Sequence, residues 1–420
     1  MKILWCTNTV LADSRESSGN WMYTMLQSIS KLHPEVEFSI FGIGNVSDIQ
    51  EGNLWRFRQV VFPDYSLKEG GLLPEETVRN IRNYIDEVSP ALIHIWGVEK
   101  FWGSLSLMLN DDYRILLEMQ GSKNLCVEPF LGGLRERVFY RHIGLLEMVY
   151  PHAFPLIQRK KFLKDSFTEQ KVIGQSSFIN TQSQFVRNYV RRINENAKLF
   201  NTGIILRSEI TGAPAWTEPI GRDRDTIQIF SVASAVPYKA VHITLRAFAD
   251  LKKRVPNVHL KIAGIPVNAN PYKNSVYIRY LLRLIKKLGI SDSVSLPGML
   301  NAEQIIEEYK RSTVFVVSSF IETYCLALAE ALYVGVPCVA SDIDALKEFQ
   351  PEGEAGQELS LIHYKKGDAI DLSEKLEMVI KNDVLRKSLS MNSRRNAVQR
   401  NDDVAIAENQ YQIYQTIVNE

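Results

Sequence analysis

Cysteine is scarce in this chain: Cys6, Cys126, Cys325 and Cys338 are all it has in 420 residues, and no two stand two or three positions apart. That spacing excludes a zinc knuckle or ribbon and gives no disulfide framework. Scattered single cysteines suit a reducing compartment. Long apolar runs are missing too. After Lys2 the run Ile3-Leu4-Trp5-Cys6 stops at Thr7-Asn8, too short for a secretory core segment. Nowhere does the chain approach the roughly 18 apolar residues of a spanning helix. Charge of one sign is also absent. The 49 basic and 48 acidic residues leave a net charge of +1, so no global field attracts nucleic acid, and an anionic ligand must be held by local groups. There is no P-loop lysine motif, no H-E-x-x-H and no G-x-S-x-G, which sets aside the commonest NTPase, zinc-protease and α/β-hydrolase chemistries. The first strand-turn-helix has no G-x-G-x-x-G, which disfavours a nicotinamide dehydrogenase. The expectation is a cytoplasmic protein with no nucleic-acid partner and no bound metal.

What is present is ordinary globular composition, 45% apolar and 23% charged, in a chain too long for one core. Two domains are expected. The first half alternates short apolar strands with helical patterns: Lys2 to Cys6, then Trp21, Met22, Met25, Leu26 and Ile29 at helical spacing. Val36 to Phe41, Ala91 to Trp96 and Arg114 to Met119 read as strands, and Pro74 to Val88 as a helix. Residues 130–170 are less regular, with Val172 to Asn180 read as a strand and Gln184 to Ile193 as a helix. Loop chemistry at 211–225, rich in Gly and Pro, marks a boundary. The alternation then restarts, with strands at Ile227–Val232, Val258–Ala263, Val294–Leu296, Val314–Val317 and Pro337–Ala340 separated by helices. This predicts an α/β protein of two Rossmann-like domains facing a cleft, residues 1–215 and 216–403, with functional loops at strand C-termini. The helix 404–418 has no strand after it, so residues 404–420 are expected to cross back to the first domain.

The segment richest in chemistry runs from Ser318 to Ser341. A buried-looking strand, Val314–Val317, enters a loop holding Glu322, and a helix begins near Tyr324. The free N–H groups of a helix's first turn, with its dipole, form an anion site. Each dipole contact is worth about 0.3–1 kcal/mol, so a pyrophosphate also calls for a cation. Glu330, two turns in, is placed to accept hydrogen bonds from ribose hydroxyls, and Glu322 from a sugar ring. Taken singly, each acid reads more readily as a solvated or capping residue. The following Gly335-Val336-Pro337 turn and second apolar strand make the combination less generic.

The Glu322–Glu330 spacing resembles the E-x7-E signature of retaining glycosyltransferases with the GT-B fold, of the glycosyl transferase group 1 (family 4) type. Val232-Ala233-Ser234-Ala235-Val236-Pro237-Tyr238-Lys239-Ala240-Val241 is similar to the family's V-G-R-L-x-x-x-K-G-x, Leu260–Gly264 to its L-x-I-x-G-x-G, and Leu296–Leu300 to F-L-G-x-V. The resemblance implies a nucleotide-sugar donor bound by the C-terminal half. Glu322 would hold the transferred sugar and Glu330 the ribose. The N–H groups of Tyr324, Cys325 and Leu326, with Thr323 beside them, would face the diphosphate. Lys239 would neutralise it, and Gly264 and the Gly298–Met299–Leu300 loop would border the base. The N-terminal half matches more loosely, through Gly19-Asn20 and Leu92–Gly97, and would bind a glycan or lipid-linked acceptor. Three departures stand out. Ser234 replaces an arginine beside the phosphates, Ala233 and Ala240 replace glycines, and Gln120 stands where many relatives have histidine. Glutamine cannot take a proton, so a front-side mechanism in which the departing phosphate oxygen accepts it is the reading that fits, with Gln120 orienting the sugar. A non-catalytic GT-B partner of another transferase, or an epimerase or phosphorylase on this scaffold, are the alternatives.

The remaining candidates are weaker. Asp111 and Asp112 read as solvent-exposed, and His94 as a core histidine. Asp342-Ile343-Asp344 fits the letters of a D-x-D metal motif but lies away from the phosphate site. Arg159-Lys160-Lys161 with Lys164, and Arg279, Arg283, Lys286 and Lys287 on one helix, are solvated faces or a peripheral contact with anionic lipid at the inner membrane face.

Overall fold

The computed structural model describes residues 1–12, 20–64, 74–98, 101–109, 112–219, 226–350 and 359–420. The chain forms two compact units. The first gathers Met1–Asn124, Phe162–Arg207 and Asn401–Glu420, and the second Leu125–Lys161 and Ser208–Arg400. Residues 125–161, which the sequence places within a 215-residue first domain, therefore pack in the second unit.

The first unit is built on strands β1 (Lys2–Thr7), β2 (Glu37–Gly44), β3 (Gln50–Leu54), β4 (Phe57–Pro63), β5 (Leu92–Trp96), β6 (Ile115–Met119), β7 (Phe178–Thr181) and β8 (Lys198–Phe200). Their order is β3-β4-β2-β1-β5-β6-β7-β8, with β3 antiparallel to β4 and the other pairs parallel. The central strands β5 and β6 are buried along their whole length, as parallel strands covered on both faces must be. The terminal helix Asp403–Val418 packs on Asn20–Leu32. Its Tyr414 hydroxyl accepts from Trp5 Nε1 at 3.0 Å and lies 2.8 Å from His94 Nδ1. His94 is thus a core histidine; burial lowers its pKa against the opposing pull of Glu118. Two local readings are corrected. The β3–β4 hairpin went unread because Gln50-Glu51-Gly52-Asn53 is an exposed polar edge with no apolar alternation. Residues 172–175 are the last turn of a helix, Pro155–Gln175, and the strand begins only at Phe178. Val172 and Ile173 favour strands locally, but both are wholly buried as part of that helix, and tertiary burial overrides a propensity of a few tenths of a kcal/mol.

The second unit has strands β9 (Ile227–Val232), β10 (Val258–Ala263), β11 (Val294–Gly298), β12 (Val314–Val317), β13 (Cys338–Ser341) and β14 (Ile362–Tyr364). Every pair in the order β11-β10-β9-β12-β13-β14 is parallel. The chain steps outward from β9 to β11, then returns to β12 on the other side of β9. That reversal creates a crevice beyond the C-terminal ends of β9 and β12, where open α/β sheets bind ligands.

Residues 125–161 are stitched onto this sheet. Phe139 and Phe154 join the core that holds Val241, Tyr277 and Leu281. Glu147, on the helix Leu145–Val149, accepts the Val276 N–H at 2.8 Å and pairs with Arg279, whose Nε donates to the His142 carbonyl at 2.9 Å. Gly132 sits at φ +59° so close to Pro237 that a Cβ would lie 2.0 Å from its carbonyl oxygen, a backbone approach only glycine allows.

His242 is buried beside Gly132, with Nδ1 2.9 Å from the Tyr277 hydroxyl. Burial first, and then Arg246, lowers its pKa to about 3. A histidine that ionises less readily folded than unfolded contributes stability that is complete above the unfolded value, about 6.5, and is lost as pH falls below it. Between pH 7 and pH 5 this one group should remove about 2 kcal/mol. His142, His259 and His363 are shifted in the same direction by burial and act in the same sense. Urea unfolding at the two pH values should show the loss, with a shallower pH dependence in His242→Gln.

Candidate active site

The reversal of strand order puts two loops side by side, residues 233–240 after β9 and 318–325 after β12. They are bonded directly: Phe320 N–H donates to the Tyr238 carbonyl at 2.8 Å, and the Ser318 hydroxyl lies 3.0 Å from the Lys239 carbonyl. Thr244, one turn into the helix Val241–Arg254, donates to the Ser318 hydroxyl at 2.9 Å. The turn Pro237–Lys239 ends at Ala240, which is buried with φ +51°. That left-handed backbone explains why a glycine suits this position.

Lys239 and Glu322 meet in this crevice. Lys239 Nζ donates to Glu322 Oε1 at 2.6 Å, and the Ser319 hydroxyl donates to the same oxygen at 2.6 Å. The Glu322 side chain is 9% exposed and that of Lys239 25%. Burial alone would pull the Lys239 ammonium down. The Glu322 charge more than offsets this and holds it well above the ordinary lysine range. Lys239 therefore stays a cation and Glu322 is clamped in one orientation. Ser319 is a participant that sequence reasoning missed, although it stands three residues before Glu322 in the Ser318-Ser319-Phe320-Ile321-Glu322 stretch.

The helix after this loop is Leu326–Val334, two residues later than the sequence suggests. Its N-cap, Cys325, has φ +86°, a conformation rare for any residue with a Cβ, and makes no side-chain cap. Leu328 N–H makes the first helical bond, to the Cys325 carbonyl, so the Leu326 and Ala327 N–H groups lie ahead of it at the positive end of the helix. Burial, then Glu322, pushes the Cys325 thiol up, so it stays neutral here. Glu330 is on this helix, nearly buried. Thr323 and Tyr324 lie in the loop; the Tyr324 ring packs at 5.2 Å on Phe349, which Arg400 covers at 4.3 Å. Arg400 also hydrogen-bonds Tyr324, a contact with no signature in the sequence because 76 positions separate the two.

Two further loops border the crevice. Gly264, at φ +88° after β10, donates its N–H to the Gly298 carbonyl at 2.7 Å, and a Cβ on it would come 2.8 Å from the Ala233 oxygen. The loops after β9, β10 and β11 are thus brought together at Gly264. Met299 is 76% exposed, Leu300 half-buried and Ser234 exposed. The turn Pro237–Lys239 is braced from behind by the 125–161 segment, through Gly132 and through Phe130 packed 5.8 Å from Tyr238. The adjacent glycines 132 and 133 were the one sequence signal of this close approach.

The remaining sequence candidates fall elsewhere. Gln120 belongs to the first unit, follows β6, and donates to Met22 Sδ at 3.3 Å. Asn20 opens the helix Asn20–Leu32, and Gly19 lies outside the described residues. Asp112 pairs with Arg82 on the surface, and Asp111 is outside the described residues. Asp342 accepts the Lys366 N–H at 2.8 Å, and Asp344 is solvent-exposed. Among the described residues no helix is long and apolar enough to cross a membrane.

Residues 213–396 match the family model described as glycosyl transferases group 1. D-inositol 3-phosphate glycosyltransferase 2 of Catenulispora acidiphila is 24% identical over 197 residues, which are 44% of this chain and 46% of that protein. The chain thus matches less than half the length of that relative. Sucrose-phosphate synthase from Thermosynechococcus elongatus superposes with a TM-score of 0.72 at 16% identity, covering 99% of both chains. Anabaena HepE in complex with UDP-glucose superposes with a TM-score of 0.65 at 16% identity, covering 100% of each. At this identity the likeness is one of fold, and the fold is the GT-B architecture expected from the sequence.

Proposed function

Residues 213–396 carry the glycosyl transferases group 1 match on a GT-B fold, and we propose that the chain is a retaining glycosyltransferase using a nucleotide-sugar donor. The observation that carries the reading is the Glu322 carboxylate, fixed by Lys239 and Ser319 in the crevice and adjoining a helix N-terminus. A sugar hydroxyl can replace part of that carboxylate's hydrogen bonding, and a diphosphate can reach both Lys239 and the Leu326 and Ala327 N–H groups. Glu330 would hold the ribose, and the Gly264 and Gly298–Leu300 loops would border the base.

In the proposed reaction the bond from the anomeric carbon to the β-phosphate oxygen breaks. The acceptor oxygen bonds to the same face of that carbon, and its proton passes to the departing phosphate oxygen. Lys239 and the helix N-terminus stabilise the charge that develops on the leaving group, so the scheme assigns no metal a role. The acceptor is a hydroxyl of a glycan or lipid-linked saccharide, met at the cytoplasmic side of a membrane.

A thermal-shift series with UDP, GDP, ADP and CMP tests the donor site. A nucleotide at 100 times its dissociation constant adds about 2.7 kcal/mol, enough for a visible rise in Tm. One nucleotide should stabilise the wild type and not Glu330→Ala. The exposed Ser234, where the family carries an arginine, favours a second reading: a non-catalytic partner of another transferase. No shift with any nucleotide would select it.

A further inference from the structure

The helix Leu145–Val149 is oriented against the usual rule. Its single charged residue, Glu147, points inward to Val276 and Arg279, while Leu145, Met148 and Val149 face solvent, Met148 at 72% exposure. Positions i, i+3 and i+4 share one helix face, so the three form a single apolar ridge. Tyr140, Ile143 and Tyr150 flank it in sequence, each about half exposed. The turn Pro271–Lys273, in contact with this helix, adds Tyr272, at 67% exposure. Monomeric soluble proteins seldom leave so many large apolar side chains contiguous without using them.

The surrounding charge is mostly of one sign. Residues 136–161 and 265–290, which contribute these elements and the helix Val276–Leu288 against them, hold ten Lys and Arg against two acids, Glu136 and Glu147. Arg279 neutralises Glu147 and is lost from the basic helix face read in the sequence, which leaves nine cations against Glu136 in a chain whose net charge is +1. Arg141, Lys160, Lys161, Lys273, Arg283 and Lys286 are exposed. Aromatic and aliphatic side chains bordered by Lys and Arg are the composition of a surface that lies in a lipid interface.

We infer that this face of the second unit docks on an anionic lipid bilayer, with Leu145, Met148 and Val149 entering the acyl boundary and the basic residues meeting headgroup phosphates. The inference rests on this surface and not on the donor chemistry. Flotation of the full chain with vesicles of phosphatidylcholine alone, or mixed with phosphatidylglycerol, tests it. Partitioning should be about tenfold or more stronger on the mixed vesicles and should fall as salt rises. The double variant Leu145→Glu, Met148→Glu should lose that binding by about tenfold or more, as should Lys160→Glu, Lys161→Glu, with urea midpoints unchanged because the altered side chains are exposed. Equal partitioning on both vesicles, or full binding by the Leu145→Glu, Met148→Glu protein, overturns the inference. So does a dimer in sedimentation velocity that the same pair dissociates while vesicles bind nothing, which would make the face an interface between copies. Nucleotide thermal shifts retained in both variants keep this result separate from the donor site.

Discussion

Lys239→Met should lower turnover of the nucleotide-sugar donor by about 10²–10³-fold, the cost of removing one preorganised stabiliser of transition-state charge. The residue is the cation bonded to Glu322, and Ser234 leaves no arginine at the family's second position. Glu322→Ala should cost at least as much, because it removes the carboxylate proposed to orient the sugar and also releases Lys239 from its clamp. The two variants differ in binding. Lys239→Met should weaken nucleoside diphosphates more than nucleosides, whereas Glu322→Ala should leave nucleotide affinity largely intact and act on the sugar. Single-turnover rates with isothermal titration would separate these effects. Unchanged turnover in Lys239→Met would remove the leaving-group role assigned to it and return the exposed Ser234 to the centre of the question.

Glu147→Ala should be among the most destabilising single changes in the second unit, by about 3–5 kcal/mol in urea unfolding. The carboxylate is almost entirely buried and accepts from the Gly144 N–H at 3.0 Å and the Val276 N–H at 2.8 Å, as well as from Arg279. Its removal leaves a guanidinium that is only 13% exposed without its counter-ion, along with two backbone donors short of an acceptor. Arg279→Ala should cost a similar amount by stranding the carboxylate. In a double-mutant cycle, Glu147→Gln with Arg279→Met should recover much of the loss, since most of the penalty is an uncompensated buried charge and not the lost attraction itself. Additive losses in the double variant would place the energy in the surrounding packing instead. Because Glu147 ties residues 125–161 to the helix Val276–Leu288, and the same segment braces Pro237–Lys239 through Gly132, nucleotide binding should weaken along with stability.

The sequence alone determined the elements whose periodicity is strong and local. Val314–Val317, Ile227–Val232, Val258–Ala263 and Gln184–Ile193 fall where their apolar patterns put them. In a parallel sheet covered on both faces, a buried strand is a short continuous apolar run, and its bounds are written in composition. The same locality made the Glu322–Glu330 spacing and the Lys239 turn legible, since each is a strand end followed by a helix start. The tertiary structure decided what depends on residues distant in sequence. The pairing of Lys239 with Glu322 follows from β9 and β12 being neighbours, although 83 positions separate the two side chains. The placement of residues 125–161 in the second unit rests on Glu147 reaching Arg279 and on Gly132 lying against Pro237, contacts whose local sequences look like ordinary surface and turn chemistry. The apolar ridge of Leu145, Met148 and Val149 was hidden for the same reason. Periodicity shows that a helix has an apolar side, and only the packing of its one acid shows that this side faces outward.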